Sequence, residues 1–155
     1  MQRSQLLAFL TFATALLLWQ SPADAGNKSV DQVKGKATAT KPDDKGRQTV
    51  TITLDIAKGW HIYANPVGNE LLEPGQTKVK IVSKVKLKDV DVAYPKGKLV
   101  VDGKEKYSIY EDRITIQAAI ARAPGDTGPL EISIAVQACT DKTCLQPGTL
   151  KFSVP

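Results

Sequence analysis

Apolar and polar residues alternate with a period of two along most of this chain, a pattern that only β-sheet can bury. Val50, Ile52, Leu54 and Ile56 alternate with Thr51, Thr53 and Asp55, and the phase carries on to Trp60 and Ile62. Successive strand side chains point to opposite faces, so one face enters a core and the other meets water. Trp60 and Ile62 are therefore expected to face inward, with His61 and Tyr63 turned away. Val79 and Ile81, then Val85 and Leu87, then Val90 and Val92 form further short apolar sets, with a phase change near Lys88-Asp89. Ile114, Ile116, Ala118 and Ile120 make another strand, Leu130, Ile132, Ile134 and Val136 the next, and Leu150, Phe152 and Val154 the last. Turn formers separate the runs: Asn65-Pro66, Pro74-Gly75, Pro95-Lys96-Gly97, Asp102-Gly103, Pro124-Gly125 and Pro147-Gly148. Roughly seven to nine short strands punctuated in this way predict an all-β protein, an immunoglobulin-like antiparallel β-sandwich.

The N-terminus follows a different rule. Arg3 precedes an apolar stretch from Leu6 to Trp19, and Ala23-Asp24-Ala25 follows as a small-x-small cleavage pattern. Residues 1–25 read as a secretory signal peptide, because an uncleaved membrane anchor needs about 20 apolar residues. No later segment is apolar enough to span a bilayer, so the mature protein is expected to be exported, soluble and not membrane-embedded. Residues 26–47 are polar and rich in turn formers, and read as a lead-in holding one short strand near Val33–Thr40. Residues 48–155 are expected to form the sandwich domain.

The chain carries a formal net charge of +5, and loss of Arg3 and Asp24 with the leader leaves it unchanged. Its lysines are spread along strands, as in Lys78-Val79-Lys80 and Lys84-Val85-Lys86, rather than gathered with aromatics into a groove. That is a solvated sheet face, and nucleic-acid binding is not expected.

The chemistry rests on two cysteines, Cys139 and Cys144. Cys139 ends the strand that begins at Leu130, and Cys144 lies just before the last strand, so Thr140-Asp141-Lys142-Thr143 becomes a hairpin tip. Facing residues of an antiparallel hairpin lie about 4.5–5.5 Å apart at Cα, a separation that a disulfide tolerates. Cys139 continues the odd, outward phase of Glu131, Ser133 and Ala135, which predicts an accessible thiol. A bond closing a six-residue ring removes little freedom from the unfolded chain, worth only about 2 kcal/mol. Spacing alone leaves redox exchange and a local structural disulfide both open. A soft-metal site with His61 as third ligand is the weaker alternative. Structural zinc takes four protein ligands, Cu(I) favours methionines, and the only Met and the only His are Met1 and His61. Neither a metal nor another cofactor is expected.

Four segments carry a resemblance to a known family: Gly59-Trp60-His61-Ile62-Tyr63, Tyr94-Pro95-Lys96-Gly97, Ile109-Tyr110-Glu111-Asp112-Arg113-Ile114-Thr115, and Val136-Gln137-Ala138-Cys139 through Cys144-Leu145-Gln146-Pro147. In this order they resemble the N-terminal periplasmic domain of the thiol:disulfide interchange protein DsbD. The resemblance implies an immunoglobulin-like fold in the periplasm, with Cys139 and Cys144 as the redox couple. It implies that Cys144 forms the mixed disulfide with partners and that Cys139 resolves it. It also implies that His61 and Tyr63 flank the pair, with Asp141 and Lys142 in the intervening loop. Implied partners are thioredoxin-like or DsbC-like periplasmic proteins as acceptors and a membrane electron donor. Some family members carry an aromatic cap before the Ile-Tyr-x-Asp-Arg segment; Leu99–Lys106 here offers none, and Tyr107 is the nearest aromatic.

Overall fold

A computed structural model describes residues 28–155. The signal-peptide reading of residues 1–25 lies outside the described residues. Among those described, no helix is long and apolar enough to cross a membrane.

The first sheet is built from β1 (Val33–Ala39), β2 (Arg47–Ile56), β8 (Arg113–Ala121) and β5 (Asp89–Ala93), in the order β1-β2-β8-β5. The opposing layer has two parts. One is β11 (Gly148–Val154), β9 (Leu130–Val136) and β4 (Lys78–Ser83); the other is β10 (Ala138–Cys139), β3 (His61–Tyr63), β7 (Glu105–Tyr110) and β6 (Lys98–Asp102). The named strands all pair antiparallel. The fold is the all-β, immunoglobulin-like sandwich that the alternation predicts.

Burial follows the phase of the sequence. Val50, Ile52 and Leu54 of β2, Ile116 and Ala118 of β8, and Leu130 and Ile134 of β9 are completely shielded and meet in one core. Each such aliphatic side chain contributes about 1.5–3 kcal/mol by leaving water. Ile62 is buried with them, while Trp60 packs half-buried against their edge. The polar segment before β2 contributes β1 to the first sheet, with Val33 and Ser29 fully buried.

Two local features depart from the simplest reading of the pattern. Val85 and Leu87 form no strand. Val85 is exposed and Leu87 rests on the core from an irregular link between β4 and β5. A lysine on either side of each, Lys84, Lys86 and Lys88, makes the polar half of this alternation a solvated link rather than a paired edge. The Ile-Tyr-Glu-Asp-Arg segment joins the end of one strand to the start of another. β7 stops at Tyr110, Asp112 takes a left-handed φ of 55°, and β8 begins at Arg113 in the other sheet. The Asp112 carbonyl accepts the Ile56 N–H at 2.7 Å, tying this crossing to the end of β2. It delivers Glu111 and Asp112 to the end of the sandwich that also holds the cysteines.

Candidate functional site

The cysteines lie where β9 changes sheets. Val136 ends the pairing with β11 opposite Gly148, Gln137 breaks the ladder, and Ala138 and Cys139 then pair with Ile62 and His61 of β3. The chain reverses at once: Cys139 and Cys144 form an antiparallel bridge, and the Leu145 N–H donates to the Ala138 carbonyl at 2.9 Å. The tip is a tight turn in which the Thr140 N–H donates to the Thr143 carbonyl at 2.8 Å. The Thr140 hydroxyl accepts the Lys142 and Thr143 N–H groups, each at 3.2 Å. Cys139 and Cys144 are joined as a disulfide across a Cα separation of 4.0 Å.

The two sulfurs are not equivalent. Cys144 is exposed, whereas Cys139 is only 1 % exposed, which corrects the expectation of an accessible Cys139. Its strand phase is outward, since it shares the face of His61. That face is closed over it by β3 on one side and by the returning Cys144 hairpin on the other. Attack from solvent is therefore directed to Cys144.

Tyr63 lies against the exposed sulfur, with its hydroxyl 3.7 Å from Cys144 Sγ. A disulfide sulfur carries no proton, so the hydroxyl is the donor. Burial, and secondarily the neighbouring Tyr107, push the Tyr63 pKa up, which keeps that proton in place. Tyr107 meets Tyr63 edge-on at 6.0 Å between ring centres, and His61 does so at 6.2 Å on the other side. The aromatic wall beside the pair is thus made by Tyr63 and Tyr107. Gly59, Trp60, His61, Glu111, Asp112 and Asp141 line one polar depression next to it. Burial lowers the His61 pKa, opposed by the charges of Asp141 and Glu111 and aided by that of Lys98. Lys98 is itself paired with Glu111 at 2.6 Å.

His61, Tyr63, Asp141 and both cysteines are thus brought together. Lys142 stands on the same turn, with its side chain exposed and in no ion pair among the described residues. Among the described residues no three His, Cys, Asp or Glu side chains converge in a way that would hold a metal ion.

Several supporting residues carried little sequence signal. The backbone N–H and the hydroxyl of buried Thr77 both donate to the Tyr63 carbonyl, at 3.0 and 2.7 Å. Gly75 comes so close to the Tyr63 ring and Gln137 that a Cβ there would lie 2.3 Å from Gln137 Oε1. Ser29 clamps the base of the cysteine hairpin: its hydroxyl donates to the Gln146 carbonyl at 2.6 Å and accepts the Ala138 N–H at 2.9 Å. Ser29→Ala leaves a buried N–H without a partner, so unfolding in urea is expected about 1–3 kcal/mol easier. Faster amide exchange at Ala138 would show that the loss is local, and unchanged stability would contradict the clamp.

No curated protein matches the sequence. The N-terminal periplasmic domain of ScsB from Proteus mirabilis is similar in structure, with a TM-score of 0.58 at 16% identity over 79% of this chain. The chain spans 45% of that protein's length. The reduced N-terminal domain of DsbD from Neisseria meningitidis aligns at 17% identity with a TM-score of 0.43, covering 74% of this chain and 80% of that one. A complex of the DsbD and PilB N-terminal domains from the same organism aligns at 16% identity with a TM-score of 0.49, over 78% of this chain and 80% of that one. The family model described as "Thiol:disulfide interchange protein DsbD, N-terminal" matches residues 29–155, all but the first of those described, and the chain belongs to that family.

Proposed function

We propose that this chain is an exported periplasmic module that relays reducing equivalents through Cys139 and Cys144 to oxidised partner proteins. The observation that carries this reading is the asymmetry of the pair: an exposed Cys144 and a buried Cys139 in one disulfide, within a family of thiol:disulfide interchange proteins. Exchange proceeds by in-line attack of a thiolate on a disulfide sulfur, so the sulfur that meets the partner must be reachable and the other must stay close.

In the reduced protein the Cys144 thiolate attacks the partner's disulfide. One partner sulfur leaves as a thiolate, and a mixed disulfide forms. Cys139 then attacks Cys144 Sγ, the intermolecular bond breaks, and the second partner thiol is released. Two electrons pass to the partner, and the bond between Cys139 and Cys144 is restored. The Tyr63 hydroxyl, already directed at Cys144 Sγ, donates to the thiolate form and favours it. Acceptors are thioredoxin-like or DsbC-like periplasmic proteins, and a membrane electron donor reduces the pair again.

The six-residue ring supports this reading over a purely structural bond, since such a staple stabilises the fold by only about 2 kcal/mol. The test is transfer to a defined acceptor. Reduced protein is mixed with an oxidised thioredoxin-fold protein, the thiols are alkylated, and both are weighed. Matched gain and loss of two thiols is expected, and an acceptor that stays oxidised contradicts the relay.

A further inference from the structure

Cys139 poses a problem for the resolving step. Cys139 is 1 % exposed in the disulfide, so bulk solvent has little access to the proton its thiol must lose, and only the thiolate attacks. We infer that His61 is the base that removes the Cys139 proton when the mixed disulfide on Cys144 is resolved. This rests on the exchange reading above and adds to it a role for His61.

Cys139 and His61 are direct partners in the register of β10 and β3. Such partners project to the same face with Cβ atoms about 4.5–5.5 Å apart, within the span that one proton transfer bridges directly or through a single water. The imidazole is uncommitted: none of the hydrogen bonds or ion pairs among the described residues engages its ring. The groups around it come from every neighbouring element. Tyr63 stands on its own strand, Asp141 on the cysteine hairpin, Glu111 and Asp112 on the crossing after β7, and Lys98 on β6.

These surroundings suit a base. Burial keeps the ring neutral near pH 7, and so able to accept a proton. The carboxylates of Asp141 and Glu111 stabilise the imidazolium once it forms, while Lys98 opposes it and is partly neutralised by its own pair with Glu111.

The step balances. The imidazole nitrogen takes the proton of the Cys139 thiol, and the sulfur electron pair forms the bond to Cys144 Sγ. The bond from Cys144 to the partner breaks, and the partner sulfur leaves as a thiolate that takes up the proton from imidazolium or water. In reverse, when a donor thiolate attacks Cys144, the imidazolium returns a proton to the departing Cys139 sulfur.

The test uses the reduced protein and dithiobis(nitrobenzoate), which releases a coloured thiolate at each step. The first release reports attack by Cys144, the second resolution by Cys139. The wild-type second phase is expected to be level from about pH 8 down to about pH 6.5, the ordinary imidazole value, and to fall only below it, because burial lowers the His61 pKa. In His61→Gln it should be at least tenfold slower at about pH 7 and climb with pH towards the thiol value near 8.5, with the first phase unchanged. A wild-type second phase that climbs through the whole range without a plateau, or one that His61→Gln leaves unaltered, overturns the inference. The wild-type profile decides the matter even if the variant folds poorly. Wild-type protein that releases neither equivalent overturns the exchange reading itself, a result distinct from a normal first phase with an altered or unaltered second.

Discussion

Cys139→Ser is expected to accumulate a stable mixed disulfide through Cys144 when the reduced protein meets glutathione disulfide, while Cys144→Ser accumulates almost none. Both variants keep one thiol, so composition alone predicts equal behaviour. The difference lies in access: Cys144 is exposed on the returning arm of the hairpin, and Cys139 is closed in by β3 and by that arm. Thiol–disulfide exchange needs an approach in line with the sulfur attacked, so adduct formation in Cys144→Ser should be slower by on the order of a hundredfold. The Cys139→Ser adduct should also persist, because the thiol that would displace glutathione is missing. Intact mass after acid quench reads both effects. Equal rates in the two variants would remove the assignment of Cys144 as the attacking residue.

The second large effect lies at the other end of the molecule. Arg122 is completely buried, and its guanidinium donates to Gln48 Oε1 at 2.8 Å, to Asp126 at 3.2 Å and to the Gly128 carbonyl. Gln48 passes the network on, donating to the carbonyls of Thr40 at 2.8 Å and Pro155 at 2.9 Å. Arg122 and Gln48 together thus link the ends of β1, β2, β8 and β11. The Arg122 guanidinium, and a backbone hydrogen bond from Gly128, hold the Asp126 carboxyl below its ordinary range. Its contribution is therefore present above about pH 4 and is lost as acid protonates it. Arg122→Met removes every donor of this fork and leaves buried acceptors unpaired. Unfolding should become about 3 kcal/mol easier in urea, with a fall in Tm of roughly 10 °C. β8 is nine residues long, so at about 3.4 Å per residue its two ends lie roughly 30 Å apart. The cysteine site stands beyond the other end, so exchange rates of the folded variant should match the wild type. Loss of exchange without loss of stability would contradict this separation.

Much of this was legible in the sequence, for a physical reason. β2, β8 and β9 bury one face each, so their apolar residues had to fall at every second position. Arg122 and Gln48 were legible in principle too. Arg122 continues the inward phase of Ile116, Ala118 and Ile120, and Gln48 that of Val50 and Ile52. A polar residue on an inward phase announces a buried network, although not its partners. Cys139 was legible in phase and not in burial, because what covers it is a hairpin returning from five residues on and a strand from far earlier in the chain. Ser29 matters through tertiary contacts with the Gln146 carbonyl and the Ala138 N–H, and Thr77 through its contacts with the Tyr63 carbonyl. No local pattern marks such residues. The role of Tyr107 emerged in the same way: its place in β7 sets it against Tyr63, which makes the wall beside Cys144.

Equilibration of the folded protein with dithiothreitol or glutathione buffers of known potential, followed by alkylation and mass measurement, gives the reduction potential of the Cys139–Cys144 bond. A working couple should stand above about −300 mV, in reach of the thiol–disulfide proteins with which it would exchange. A value below that, with Cys144 unreactive in buffers that reduce such proteins, would mark the bond as a structural staple and contradict the relay.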